Sequence, residues 1–380
     1  MKVFHIARSP LRSALWSAIA FATGAAGFAH GAEGESLVLQ LRHRGPCAAK
    51  ESVARPDQFG VFEKGGELYY GEFLAVDWQG CLYFSDPVSP GHFMLKRFST
   101  TGRLLNAWGP IVCDSIECCC VTKDGRVWVG AWASGATTQR ALPVVVYDAT
   151  SPTPVTDWRR SLPQSLAERL DQKVVKAGEP AVDFTKEWIP QTFECSANRL
   201  SLRFVCSTGS RSNAGPETLW ILLSADDWKL KEAALPKKQI PHLSADDRIW
   251  LTRTDFTVSP WGWKNLWLWL RQDPQPHPLV KRNQTGGIFP PELVQGSTSP
   301  PAVLFDVKHV FLAWRRGWEP TAKKFEYAVT VLNGKLHPVT ELPWRPGFAK
   351  WLKPAPDGRG FYRYEYGDDE SRVYFHPLER

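Results

Sequence analysis

The 380-residue chain is poor in methionine and has no long apolar segment beyond its first thirty residues. It contains 2 Met against 18 Trp, and 43% of its residues are hydrophobic, so it has enough apolar surface for a large core and is not an intrinsically disordered chain. A membrane-spanning helix needs roughly 20 consecutive apolar residues, which no later segment provides. The 30 Pro and 29 Gly favour short strands and turns over long helices.

The first 32 residues have the order of features found in a secretory signal. Three basic residues precede an apolar run at 14–28, and small residues follow it as far as Ala32. An N-terminal anchor is the alternative, but the run is short for a membrane span and two glycines interrupt it. The sequence therefore predicts that residues 1–32 are a cleaved signal peptide. The rest of the chain is then secreted or periplasmic, without a membrane span.

The chain also lacks a dense run of basic residues. Its formal net charge is +7, and loss of the leader with Lys2, Arg8 and Arg12 lowers this charge to +4. Such a small charge is not the basic stripe of a nucleic-acid-binding protein, so we expect no nucleic-acid partner.

The motifs that most clearly mark enzymes are absent. There is no G-x-S-x-G, H-E-x-x-H, P-loop or EF-hand sequence, and the nine His residues include no pair at metal-binding spacing. The sequence therefore identifies no catalytic residue and leaves open whether the protein is an enzyme.

Eight cysteines in a chain with an export signal favour disulfides. Cys195 and Cys206 bracket two predicted short strands joined at 197–199, so we expect them to lie close enough to bridge. The run Cys118 to Cys120 lacks C-x2-C spacing, and consecutive strand residues point to opposite faces. We expect structural disulfides or buried thiols in this run, with a soft-metal or redox role as the alternative.

The strongest signal is a unit that recurs along the chain, in which a short apolar strand, a tight turn and a second apolar strand follow one another. The clearest copy, 74–109, reads as a four-stranded meander. Six copies are present, and three of the intervals between their turns match the roughly 40 to 50 residues of a propeller blade. The longest interval contains 164–175, where the apolar spacing predicts a short helical insertion. The turn positions are Gly80, Gly125, Asn198, Asp247, Lys308 and Gly358.

The two ends of the chain complement each other. The last unit offers only three strands, and 36–41 is a spare strand after the leader. Pairing of this strand with the last unit would close a ring of sheets without an exposed edge. The sequence therefore predicts a single all-β domain over 33–380, a six-bladed β-propeller closed by its N-terminal strand. Two β-sandwich domains are the alternative.

The segment 74–109 resembles a repeat of the NHL class of β-propellers, and 121–130 matches part of the same repeat. Cys81 and Arg126 replace the Asn that usually follows the turn glycine. The resemblance implies a scaffold whose loops and central channel bind proteins, sugars or small molecules. The matching positions of the first unit are Val76, Asp77, Gly80, Leu82, Tyr83, Asp86, Phe98, Gly102, Trp108 and Gly109.

In each unit, the position eight residues before the turn should lie where the innermost strand begins, next to the central channel. Two of them are carboxylates in adjacent units, Glu72 and Glu117, with His242 and Lys350 as expected neighbours. Two nearby carboxylates either hold a hard cation such as calcium or raise one another's pKa. The alternative is that both are solvated loop residues.

Residues 72–86 are also similar to the first blade of gluconolactonase-type hydrolases, which implies that Glu72 binds a divalent ion. That family takes further ligands from later blades, typically from an Asn-Gly before a strand. The Asn-Gly found here, Asn333-Gly334, reads as a hairpin turn. A metal-assisted lactonase-like hydrolase or lyase is therefore the alternative function.

Trp261 and Trp263 lie in a Pro/Gly segment, where exposed indoles can stack on sugar rings or partner side chains. The sequence predicts a binding or interaction module without a cofactor, and a protein or carbohydrate ligand at the propeller face. The predicted ligand-binding residues are Trp261, Trp263, His242 and Lys350.

Overall fold

The structure is a computed structural model in which most described residues form six sheets arranged in a ring, a six-bladed β-propeller. The predicted all-β fold is therefore confirmed. The described residues are 34–133, 144–148, 168, 187–206, 217–236, 238–256, 263–273, 275–281, 302–319, 324–344 and 352–378.

The described chain begins with an N-terminal segment that precedes the blades. It contains β1 (Ser36–Arg44), α1 (Ala49–Ala54), β2 (Gln58–Lys64) and β3 (Glu67–Tyr70).

Six consecutive units follow, and each starts with its innermost strand. Blade 1 contains β4 (Glu72–Val76), β5 (Leu82–Ser89), β6 (His92–Phe98) and β7 (Leu104–Val112). Blade 2 contains the described strands β8 (Ser115–Val121), β9 (Arg126–Trp132) and β10 (Val144–Asp148). Blade 3 contains β11 (Trp188–Cys195), β12 (Arg199–Cys206), β13 (Thr218–Ser224) and β14 (Leu230–Ala234).

The second half of the ring has the same order. Blade 4 contains β15 (Ile240–Leu243), β16 (Ile249–Phe256), β17 (Trp263–Leu270) and β18 (His277–Lys281). Blade 5 contains β19 (Ala302–Phe305), β20 (His309–Glu319), β21 (Lys324–Asn333) and β22 (Pro338–Trp344). Blade 6 contains β23 (Leu352–Pro354), β24 (Gly360–Tyr366) and β25 (Glu370–Pro377).

The core lies between neighbouring blades, because each sheet buries both of its faces. In β9, Trp128 packs into the cluster shared with blade 3, whereas Val127 and Val129 pack toward blade 1. Strands buried on both faces need apolar residues at nearly every position, which explains the continuous apolar runs of β10 and β13.

The ring closes through β1, as the sequence predicts. This strand pairs antiparallel with β25, and Leu39 lies opposite Val373. Its last residues, from Arg42, continue beyond the predicted strand and pair in parallel with β2. The closing sheet therefore has six strands in the order β23-β24-β25-β1-β2-β3. The sequence analysis did not predict α1 or the β2–β3 hairpin.

A buried ionic network around Asp86 fastens the N-terminal segment to blade 1. Arg44 Nη2 donates to both carboxylate oxygens, at 2.9 and 2.7 Å, and Ser52 Oγ and the Gly60 backbone N–H donate at 2.6 and 2.8 Å. Lys96 Nζ lies 2.9 Å from the same carboxylate, and the Asp86 and Lys96 side chains are 0% exposed. Burial lowers the pKa of Lys96, and Asp86 opposes that shift.

A second ion pair fastens the start of the described chain to blade 6. Arg363 Nε and Nη2 donate to the two carboxylate oxygens of Glu35 at 3.0 and 2.6 Å. Burial by itself would raise the pKa of Glu35, but His376 and Arg363 outweigh it and lower the pKa to about 2.

The predicted Cys195–Cys206 disulfide is wrong. In the β11–β12 hairpin, Cys195 lies opposite Leu200 near the turn, whereas Cys206 lies opposite Trp188 at the far end. Six residues of extended strand separate the two positions by roughly 20 Å, which no disulfide spans. All eight cysteines are described, and all are free thiols.

Two further sequence predictions concern helices. Apart from Glu168, the predicted insertion at 164–175 lies outside the described residues. Within the described part of the chain, no helix has the length and apolar character needed to cross a bilayer.

We expect Asp86→Asn to lower the free energy of unfolding by about 3–5 kcal/mol, because Arg44 and Lys96 would stay buried without a counter-charge. Denaturant unfolding measures this loss. The matched control is Asp124→Asn, which removes an exposed ion pair to Arg126 and should cost less than about 1 kcal/mol. Equal effects of the two substitutions would contradict the role given to the network.

Glu35 should make stability depend on pH at the acid end. Its folded-state pKa lies below the reference value of 4.5, so its stabilisation is complete above that pH and is lost as the pH falls toward 2. We expect Glu35→Gln to cost about 1–2 kcal/mol at pH 7, after allowance for solvent screening. The difference from the unsubstituted protein should vanish near pH 2 in unfolding experiments. A difference that is constant with pH would refute this assignment.

Candidate ligand-binding site at the channel mouth

The innermost strands of blades 1 and 2 lie side by side and bring two carboxylates to the same end of the ring. Glu72 is the first residue of β4, and Glu117 is the third residue of β8. Glu72 is half-buried and its backbone N–H donates to Ser85 Oγ at 3.0 Å, whereas Glu117 is exposed. The structure thus places both predicted residues where their strands begin.

Tyr70, the last residue of β3, interacts electrostatically with both carboxylates. Its phenol is hydrogen-bonded to Glu72 and also feels the charge of Glu117. Burial and, after it, these acidic neighbours raise the pKa of Tyr70 well above its usual range. The phenol therefore stays protonated and donates to an acidic neighbour.

Two aromatic rings, those of Tyr366 and His43, lie next to Tyr70. The Tyr366 ring lies edge-on to Tyr70, with ring centroids 6.0 Å apart, and stacks on His43 at 4.9 Å. The His43 nitrogens lie 2.9 Å from Asp368 O and 2.9 Å from Ser371 Oγ, which holds the imidazole in place. Burial lowers the pKa of His43, so the ring is neutral at pH 7.

These five residues, His43, Tyr70, Glu72, Glu117 and Tyr366, are called the mouth site below. They come from β1, β3, β4, β8 and β24. The first and last blades and the N-terminal segment therefore all contribute.

The backbone between β3 and β4 brings Tyr70 and Glu72 together. Gly71, which joins them, packs so tightly that a Cβ there would lie 2.7 Å from the Phe59 ring. Its carbonyl accepts a hydrogen bond from the Tyr364 hydroxyl at 3.1 Å. A residue with a side chain could not hold this close approach, so Gly71 positions both flanking side chains.

The hydrogen-bond partners of His242, a predicted ligand-binding residue, lie in blades 3 and 4, whereas Glu72 and Glu117 belong to blades 1 and 2. Its Nδ1 lies 3.2 Å from Glu194 Oε1, its Nε2 lies 3.0 Å from Thr252 Oγ1, and its ring is 5.4 Å from that of Phe305. The other Glu194 oxygen accepts from the Leu243 backbone N–H at 2.8 Å. Burial lowers the pKa of His242. These contacts join blades 3, 4 and 5.

Arg203 was not predicted and is the most buried cation of blade 3. Its side chain donates to Thr192 Oγ1 at 2.6 Å, while its Nε and Nη1 are buried and have no hydrogen-bond partner among the described residues. Burial lowers the pKa of Arg203, and the nearby Glu194 opposes that shift. The sequence around Arg203 does not indicate that this side chain is buried. Its burial follows only from the packing of the blades.

The remaining predicted residues lie elsewhere. Trp261 and Lys350 are outside the described residues. Trp263 is the first residue of β17, opposite Phe256, so its backbone belongs to a strand and not to the predicted loop.

The mouth site does not by itself complete a divalent-cation site. Among the described residues, no group of three or more His, Cys, Asp or Glu side chains could hold a metal ion. Calcium takes six to eight oxygen ligands, of which Glu72 and Glu117 would supply a small part. We therefore derive no metal chemistry from them.

No protein-family model matches the chain, and no curated protein does. The chain is similar to a solved luciferin-regenerating enzyme, with 11% identity and a TM-score of 0.42 over 80% of this chain and 90% of that one. It is also similar to the β-propeller domain of the Trilobed protease from Pyrococcus furiosus, with 8% identity and a TM-score of 0.40 over 78% of each chain. For the Dos1 propeller the identity is 12% and the TM-score 0.35, over 84% of this chain and 73% of that one. Sequence identities and TM-scores as low as these assign no function to this chain.

Proposed function

We propose that this protein is a secreted or periplasmic NHL-like propeller that binds a hydroxyl-rich ligand, a carbohydrate of the cell envelope, at the mouth site. The observation that carries the proposal is the Tyr70 phenol, which is hydrogen-bonded to Glu72 and within electrostatic range of Glu117, beside the aromatic pair His43 and Tyr366.

The chemistry of these side chains suits a sugar. Carboxylates accept hydrogen bonds from hydroxyl groups, and such charge-assisted bonds are about twice as strong as those between neutral groups. Aromatic rings offer apolar faces for the C–H faces of a pyranose, and their polar tips stay within reach of its hydroxyls. A site with apolar faces and a few convergent polar groups is the usual form of a small-molecule site.

The site is also held in place before a ligand arrives. His43 is fixed by contacts to Asp368 and Ser371, and the backbone at Gly71 is fixed by Tyr364. A preorganised site loses less conformational entropy on binding, which favours affinity. We propose that Trp261, Trp263 and Lys350 add ligand contacts at the same propeller face, while His242 supports the blades from within.

We expect the protein to be retained on immobilised envelope polysaccharides, tested as a panel of muropeptides, chitooligosaccharides and dextran. Glu72→Gln and Glu117→Gln should each weaken the retained interaction by about 10- to 100-fold, the loss of one hydrogen bond to a charged group. The control is Glu63→Gln, an exposed carboxylate on β2, which should bind like the unsubstituted protein. Isothermal titration measures the affinities.

Other outcomes would overturn the proposal. Unchanged affinity in both variants would remove the mouth site from the interaction, and a protein partner captured without any polysaccharide retention would refute the ligand class. One calcium ion bound per chain and lost in Glu72→Gln, together with lactone hydrolysis, would support the hydrolase alternative instead.

A further inference from the structure

Two cysteine thiols from neighbouring blades meet at the end of the ring opposite the mouth site. The innermost strands β8 and β11 lie side by side; Cys120 is the next-to-last residue of β8, and Cys195 is the last residue of β11. Cys195 packs against the apolar cluster that contains Cys120, and the two thiols are hydrogen-bonded. The Cys195 thiol also donates to the Val121 carbonyl, with Sγ and O 2.8 Å apart.

Strand geometry selects Cys120 from the run of three cysteines. Cys118 and Cys120 point into the cluster shared with blade 3, whereas Cys119 points into the cluster shared with blade 1. This alternation confirms the expectation that the three side chains do not share one face. Cys119 is therefore a matched control for its neighbour Cys120.

The two thiols differ in access to solvent. Cys120 is 5% exposed, whereas Cys195 is half-buried. The chain leads from Cys120 to Lys123 and from Cys195 to Ala197, and both turns line a shallow cleft of about 260 Å³ together with Asp226. Neither thiol lines this cleft, but Cys195 is the more exposed of the two, so we expect a reagent to react with it first.

We propose that Cys120 and Cys195 are a redox-active pair whose oxidation links blades 2 and 3 by a disulfide. The partner is a disulfide-containing oxidant of the thiol–disulfide oxidoreductase class, with glutathione disulfide as its small-molecule counterpart. The proposal rests on the contact between the thiols and is independent of the mouth site.

The exchange balances in two steps. The Cys195 thiolate attacks the oxidant disulfide, forms a mixed disulfide and releases one oxidant sulfur as a thiol. The Cys120 thiolate then attacks the Cys195 sulfur, forms the interblade disulfide and releases the second oxidant sulfur as a thiol. The two protons and two electrons of the protein thiols thereby pass to the oxidant. Burial raises the pKa of Cys120, so the second step should become faster as the pH rises.

The purified, folded protein is first reduced, then equilibrated with glutathione disulfide, and its thiols are counted after unfolding. We expect the loss of two of the eight thiols and a cross-linked peptide pair that contains Cys120 and Cys195. Cys120→Ser and Cys195→Ser should each abolish the cross-link, while Cys119→Ser should keep it. The Cys195→Ser protein should form no stable mixed disulfide, whereas Cys120→Ser should accumulate one on Cys195.

Thermal unfolding supplies a second readout. The disulfide closes a chain segment of about 75 residues, so the oxidised protein should unfold a few °C above the reduced protein, and this difference should be absent in Cys195→Ser. Retention of all eight thiols after oxidation would overturn the proposal. So would a cross-link that joins other cysteines, or one that persists in either serine variant.

Discussion

The antiparallel pairing of β1 with β25 is the constraint on which the rest of the structure depends. Each blade buries both faces against its neighbours, so an unclosed ring would expose one face of its first blade and one of its last. The strand that completes blade 6 comes from the other end of the chain, with Leu39 opposite Val373. Asp86 and Glu35 secure this segment through buried carboxylates, one against blade 1 and the other against blade 6.

The segment that closes the ring also builds the mouth site. The strand β1 contributes His43, the following hairpin contributes Tyr70, and blade 6 contributes Tyr366. His43 and Tyr366 lie beside Tyr70 only because the first and last blades are joined. Ring closure and the proposed sugar site are therefore physically coupled, whereas the thiol pair between blades 2 and 3 depends on the contact between two consecutive units.

Local chemistry explains how much of the fold could be predicted. The turns at Gly80, Gly125 and Gly358 have positive φ angles, which glycine adopts without strain, and the apolar strands beside them repeat at regular intervals. The β2–β3 hairpin has no counterpart in the repeat, and its strands mix exposed charges with apolar residues. It was missed for that reason. The Cys195–Cys206 error arose because each cysteine ends its own strand of the hairpin, Cys195 at the turn and Cys206 at the open end.

By itself, the sequence determined the repeated strands and turns, the number of units and the positions of Glu72 and Glu117 near the start of innermost strands. These features follow from turn chemistry and apolar periodicity within short segments. Only the tertiary structure decided that Tyr366 and Glu117 would lie near Tyr70, or that Cys195 would meet Cys120. Such contacts depend on how separate sheets face one another around the ring, and no local pattern of residues encodes that relation.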